Sequence, residues 1–277
     1  MKIKAVINNS IFGFLGFNTK SQTAEEWFQQ GETAFDNSDY EKAIKCLEKA
    51  LEYKPDFAEA YFNMGDAYCD WNGQYEKAIE CYEKAIELKP DSAGAYNNMG
   101  VAYYKWNGQY EKAIECYKKC IKLKPDDAKA YHNMGITYTA WNGQYAKAIE
   151  CYQKALEYNP DYANAYFYMG LAYANWNGQY AKAIECYQKA LEYNPDYATA
   201  YFYMGNAYRD WNGQYDKAIE CYKKAIELKP DLAAAYRNMG AAYGLMGDDK
   251  QAISCIKKTA ELGDEDAKYW LKENGIK

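Results

Sequence analysis

The chain has 277 residues, 49% of them hydrophobic, and a formal net charge of −6. Its densest basic stretch, Lys118, Lys119, Lys122 and Lys124, is flanked by Glu115, Asp126 and Asp127. That reads as a solvated helix face rather than the basic stripe a nucleic-acid binder needs to neutralise phosphates. His132 is the one histidine, and no phosphate loop, nucleophile elbow or His-Glu-x-x-His helix is present, so neither catalysis nor a cofactor or metal is expected.

Residues 1–23 differ from everything after them. Lys2 and Lys4 precede an apolar stretch in which Ile3, Ile7, Ile11 and Phe14 share a helical stripe, interrupted by Asn8, Asn9 and Ser10. The apolar run is too short to span a bilayer. Three readings stay open for this tail: a loose segment, one docked on a groove, or a targeting sequence. From Ala24 the pattern turns periodic. Trp-Asn-Gly-Gln-Tyr starts at Trp71, Trp106, Trp141, Trp176 and Trp211, every 35 residues. A fixed period of that length marks one supersecondary unit stacked on copies of itself.

Each unit carries two amphipathic helical patterns. In the third they run from about Ala93 to Trp106 and from about Tyr110 to Leu123. Tyr96, Met99, Gly100 and Tyr103 mark the apolar stripe of the first, and Ala113, Ile114, Tyr117, Cys120 and Ile121 that of the second. Asn107-Gly108 ends the first helix through a left-handed cap. Pro125 ends the second, and Asp126 or Asp127 offers the next N-cap. Gly65, Gly100, Gly135, Gly170, Gly205 and Gly240 sit mid-helix, where glycine costs about 1 kcal/mol against alanine. Close approach of the partner helix at Ala78, Ala113, Ala148, Ala183 and Ala218 is the expected compensation. Seven cysteines, Cys46, Cys81, Cys116, Cys151, Cys186, Cys221 and Cys255, share one repeat position. Equivalent helices lie too far apart for disulfides, so these thiols are packing residues of a reducing, cytoplasmic protein. The 32 tyrosines suit a thin body in which each hydroxyl finds a partner or water.

This pattern resembles the tetratricopeptide repeat. The second unit supplies Tyr61, Gly65, Tyr68, Ala78, Tyr82, Ala85 and Pro90 at that family's marker positions, and the first supplies Trp27, Gly31, Ala43, Leu47, Ala50 and Pro55. The second to sixth units exceed the family's 34 residues by one, in the Trp-Asn-Gly turn. The resemblance implies an all-α, right-handed superhelical solenoid of antiparallel helix pairs, with seven repeats over 24–263 and a capping helix over 264–277.

It further implies that the first helices line a concave face. The stripe facing that groove reads Phe28, Phe62, Asn97, His132, Phe167, Phe202 and Arg237, then Glu32, Asp66, Val101, Ile136, Leu171, Asn206 and Ala241. Tyr104 and Arg209 border it. Val101, Ile136 and Leu171 in register suggest a partner surface, although a tight superhelix would bury them instead. Asn63, Asn98, Asn133 and Asn238 form a row beside the stripe, broken by Tyr168 and Tyr203. The row looks like the asparagine ladder in the helical arm of O-linked N-acetylglucosamine transferase, which holds peptide backbone; plain solvated amides are the other reading. Glu32 and Asp66 would repel a carboxylate, which argues against a clamp for chaperone tails. Trp141–Ala163 and Trp176–Ala198 are identical, whereas the following first helices differ at Asn164/Thr199, Leu171/Asn206, Ala174/Arg209 and Asn175/Asp210, all on or beside the groove.

The expected partner is therefore a protein or peptide with apolar anchors, basic where it meets Glu25, Glu32, Glu59, Asp66 and Asp70. Nucleic acid and membrane are not expected partners. Self-assembly through the tail or the solenoid ends is the alternative. The five tryptophans are expected to pack on the edge of the stack rather than to contact a ligand.

Overall fold

The computed structural model describes residues 22–276; the readings of residues 1–21 lie outside the described residues. The chain divides into two compact units, 1–90 and 91–277. Among the described residues all regular structure is helical. The first helices of the repeats are α1 (Ala24–Asp36), α3 (Ala58–Asp70), α5 (Ala93–Lys105), α7 (Ala128–Ala140), α9 (Ala163–Asn175), α11 (Ala198–Asp210) and α13 (Ala233–Leu245). The second helices are α2 (Tyr40–Tyr53), α4 (Tyr75–Leu88), α6 (Tyr110–Leu123), α8 (Tyr145–Tyr158), α10 (Tyr180–Tyr193), α12 (Tyr215–Leu228) and α14 (Asp249–Glu261), and α15 (Glu265–Glu273) follows. The first helices stop one residue earlier than expected: Trp106 is the C-cap of α5, its N–H donating to the Ala102 carbonyl.

The inserted residue is accommodated by two consecutive left-handed residues. Asn107 has φ 54° and Gly108 φ 64°, and the other four turns repeat the pair. The Gln109 side chain then donates to the Trp106 carbonyl at 3.3 Å, closing the turn. At the other end of the pair, Asp127 caps α7 by accepting from the Lys129 and Ala130 amides, both at 3.1 Å. That cap is not general. Phe57, Tyr162, Tyr197 and Leu232 hold the same position and make no side-chain cap bond.

Five of the six mid-helix glycines face a tyrosine ring; Gly240 faces Cys255 instead. A Cβ on Gly65, Gly100, Gly135 or Gly205 would stand 2.6 Å from the ring of Tyr82, Tyr117, Tyr152 or Tyr222 on the paired helix. The expected alanine is a secondary neighbour; at Gly170 the Ala183 carbonyl lies 3.1 Å from such a Cβ. Each of these tyrosines is almost wholly buried, as are the alanines around it. The two helices of a pair are also tied by a lysine over a tyrosine ring, from Lys77 over Tyr68 at 5.2 Å to Lys217 over Tyr208 at 5.4 Å. The seven equivalent cysteines are buried thiols without disulfides. Burial pushes Cys81, Cys151, Cys186 and Cys221 up to about 12, so they pack and do not attack.

The second helices carry a recurring lysine–glutamate ion pair. Lys45 pairs with Glu41 at i,i+4 in the first repeat, and Lys84 with Glu87 at i,i+3 and 2.7 Å in the second. Lys154–Glu157, Lys189–Glu192 and Lys224–Glu227 repeat it.

Candidate functional site

Within each unit, first helices of consecutive repeats touch: α1 with α3, and α5, α7, α9, α11 and α13 in sequence. Second helices of consecutive repeats do not, among the described residues. The first helices are therefore the crowded inner side of each unit, where a curved stack presents its groove.

In unit 1 this inner side is polar. Asn63 donates to Glu32 at 3.3 Å, from α3 back to α1. The Tyr82 hydroxyl donates to the Asp66 carboxylate at 2.6 Å. Burial, and then the Asp66 charge, push that hydroxyl far above the usual tyrosine range, so it stays a donor. A cavity of about 350 Å³ opens between α1 and α3, lined by Gln29, Glu32, Phe35, Asp36, Asn63 and Asp66.

In unit 2 the same positions turn aromatic along the chain. Asn97 bonds Asn98 and accepts from Asn133, both at 3.1 Å. His132 then meets Tyr162 at 4.9 Å, Tyr168 at 5.3 Å and Tyr152 at 5.8 Å between ring centroids. Phe167 meets Tyr197 at 4.9 Å, Tyr203 at 5.7 Å and Tyr187 at 5.9 Å. Past these, Phe202 packs on Tyr203 and Tyr222, and Asn206 accepts from both Tyr222, at 2.8 Å, and Asn238, at 2.7 Å.

Two residues expected in the groove are thus core. His132 is 5% exposed and Phe167 4%. The N-cap aromatic of the following repeat covers each of them, Tyr162 over His132 and Tyr197 over Phe167. The third residue of Pro-Asp-X is the signal that foretells this burial, and the groove stripe taken alone misses it. His132 Nδ1 is buried without a partner, and burial holds the imidazole down at about pKa 4. It is neutral at pH 7.

The asparagine row also has work inside the fold. Asn63, Asn133 and Asn238 each reach back to the first helix of the preceding repeat, to Glu32, Asn97 and Asn206. Tyr168 and Tyr203 do the same with rings, lying on His132 and Phe167. One position therefore bridges consecutive first helices, by a bond or by a ring.

The remaining expected residues, Phe62, Asn63, Asp66, Asn97, Asn98, Val101, Tyr104, Asn133, Ile136, Leu171, Phe202, Asn206 and Arg209, are half-buried. Arg209 is held by its neighbour Asp210 at 2.7 Å. Tyr203 is 36% exposed. The turn tryptophans divide: Trp71 and Trp141 pack against the cores beside them, and Trp176 and Trp211 stand 37% exposed.

Stacked helix pairs interlocked by glycine and tyrosine, without a catalytic constellation among the described residues, define a helical-repeat scaffold. A family profile described as TPR repeat matches residues 31–70, 72–105, 177–210 and 212–247, and one described as Tetratricopeptide repeat matches 91–161 and 126–193. A Sel1 repeat profile matches 233–264. The chain belongs to the tetratricopeptide-repeat family, whose scaffolds typically serve protein–protein interaction and are generally non-catalytic. Among solved structures, a MamA protein is 30% identical, with 64% of this chain and 94% of that one covered at a TM-score of 0.55. YrrB, described as a TPR protein with an unusual peptide-binding site, is 24% identical over 70% of this chain and 99% of that one, TM-score 0.57. The C-terminal part of a TPR repeat-containing protein from Cytophaga hutchinsonii is 21% identical over 87% and 97%, TM-score 0.67. The last two share the fold. No curated protein matches the chain. No helix of the described residues is long and apolar enough to cross a membrane.

Proposed function

We propose that the inner faces of the two units hold a partner polypeptide, an extended segment or a helix with apolar anchors. One observation carries this reading. The stretches 141–163 and 176–198, which carry α8 and α10, are identical, exposed positions included, whereas the first helices that follow them, α9 and α11, differ at four places. Variation on that face between two otherwise matching stretches suits recognition of a partner whose own sequence varies along its length. In unit 2 that face offers Val101, Ile136, Leu171 and Tyr203 as anchor surface; burying one such anchor in a complex contributes about 1.5–3 kcal/mol. In unit 1 the carboxylates of Glu32, Asp36 and Asp66 favour a basic stretch of the partner. YrrB's printed description as peptide-binding agrees with this use of the fold.

The test changes residues of the inner face that pack on the core without being buried in it. Leu171→Asn gives repeat five the residue its sister carries, and Tyr203→Ala removes an exposed ring. The double variant should keep its helicity by circular dichroism and bind a captured, purified partner at least tenfold more weakly by calorimetry. Unchanged affinity would place recognition elsewhere.

A second reading is self-association. Leu245, Met246, Tyr269 and Trp270, towards the end of unit 2, are each exposed, from 40% to 67%. Light scattering over a range of concentrations tests it; a constant monomer mass ends it.

A further inference from the structure

The Trp-Asn-Gly-Gln-Tyr turns remain after the inner face has been accounted for. Asn72, Asn107, Asn142, Asn177 and Asn212 are exposed and hold φ between 54° and 57°. The glycine after each sits at φ 63° to 65°. Among the described residues, no hydrogen bond engages these five carboxamides. The flanking amides are engaged: Trp71 N–H donates to Ala67, Asn72 to Asp70, Gln74 to Tyr68 and Tyr75 to Gly73, while the Gly73 N–H between them has no backbone acceptor. The same gap recurs at Gly108, Gly143, Gly178 and Gly213. Each turn therefore sets an exposed carboxamide carbon beside an amide nitrogen that no backbone carbonyl engages, on a half-buried glycine next to the ring of the following tyrosine.

We infer that the five Asn-Gly turns are sites of spontaneous chemical modification, deamidation through a cyclic imide. The glycine nitrogen gives its proton to solvent base and attacks asparagine Cγ. The Cγ–Nδ2 bond breaks, and ammonia leaves. The five-membered imide then takes up one water. Opening at Cγ gives aspartate; opening at the main-chain carbonyl gives isoaspartate, with one extra backbone atom. No oxidant, reductant or enzyme is needed. Each event adds one negative charge to the turn edge of the stack.

Other asparagines lack one of the two groups. Asn63, Asn133 and Asn238 lie inside helices with their carboxamides committed to Glu32, Asn97 and Asn206. Asn159 and Asn194 precede prolines, whose nitrogen carries no hydrogen. Asn274 also precedes a glycine, but its carboxamide donates to the Trp270 carbonyl at 2.8 Å. The turn itself restrains the reaction. Ring closure needs rotation about the asparagine backbone, and the Gln side chain bound to the Trp carbonyl holds the loop, at 3.2 Å for Gln74 and Trp71.

The full chain is incubated in mildly alkaline buffer and followed by intact mass and peptide mapping, with methyltransferase labelling of isoaspartate. The turn asparagines should convert at least tenfold faster than Asn63, Asn133 and Asn238, gaining one mass unit each. Asn142→Gly, which keeps a residue suited to positive φ, should abolish the gain in its own peptide alone. The same sites should react faster in guanidinium. Turn asparagines no faster than the helical ones, or a mass gain persisting in the Asn142→Gly peptide, overturns the assignment; equal rates with and without guanidinium overturn the restraining role of the turn.

Discussion

Unit 1 and unit 2 build their inner faces from the same helix positions with different chemistry. In unit 1 consecutive first helices are joined by an amide on a carboxylate, Asn63 on Glu32. Through the middle of unit 2 they are joined by rings, Tyr168 on His132 and Tyr203 on Phe167. The backbone hardly registers the exchange, because the glycine–tyrosine interlock and the buried alanines beneath are shared. Bridging residues thus set the surface while the interlock sets the stack.

The largest effect expected from breaking the comparison is at Phe167. Phe167→Ala removes a buried ring and should cost about 3–5 kcal/mol, whereas Asn63→Ala, losing one part-buried bond, should cost about 1 kcal/mol. Urea melts of the two variants read the difference; equal midpoints would erase the distinction between ring and bond.

Next is His132, which occupies the position of Phe62, Phe167 and Phe202. Its folded pKa of about 4 lies below the unfolded value near 6.5. As pH falls, the unfolded chain takes the proton first. Stability is full above about pH 6.5, declines between there and pH 4, and levels below, a loss of about 3 kcal/mol. His132→Phe should flatten that slope, and parallel denaturation curves at neutral and acid pH measure it. An unaltered slope would mean that the ring is solvated.

Gly135→Leu follows. Its Cβ alone would stand 2.6 Å from the Tyr152 ring, and overpacking of this kind costs about 1–3 kcal/mol. An unchanged melting temperature would contradict the interlock. Removing hydroxyls compares the units more finely. Tyr82→Phe loses a bond to the Asp66 carboxylate and should cost about 1.5–3 kcal/mol; Tyr222→Phe loses one to the Asn206 amide and should cost about 1 kcal/mol. The smallest effect is a gain. A Cβ on Gly244 meets only Ala252 Cβ at 3.9 Å, so Gly244→Ala should stabilise by at most about 1 kcal/mol through helix propensity.

Much of this architecture is legible in the residues because periodicity reports packing directly. The 35-residue spacing marks the helix pairs, and Tyr110 and Leu123 bound α6 as the apolar pattern indicates. The inner face is less legible for a physical reason. A helical stripe says which side of a helix a residue occupies, not what the next repeat lays over it. His132 and Phe167 share the stripe of Ile136 and Leu171, and only Tyr162 and Tyr197, thirty residues downstream, decide that they are covered. The asparagine row is ambiguous in the same way, since an amide placed to hold a peptide is equally placed to hold its neighbouring helix. Pairing Pro-Asp-X residues with the stripe of the preceding unit would have resolved the first case.

The glycine–tyrosine contact is near-identical at Gly65, Gly100, Gly135 and Gly205. It has a mechanical consequence. Pulled from its two ends, such a chain should yield one module at a time, each release lengthening it by about 120 Å, the contour of 35 extended residues. Because the contacts are so alike, internal modules should let go at nearly equal force. Order of rupture would then be governed by position rather than by sequence, and the molecule would extend as an evenly graded spring.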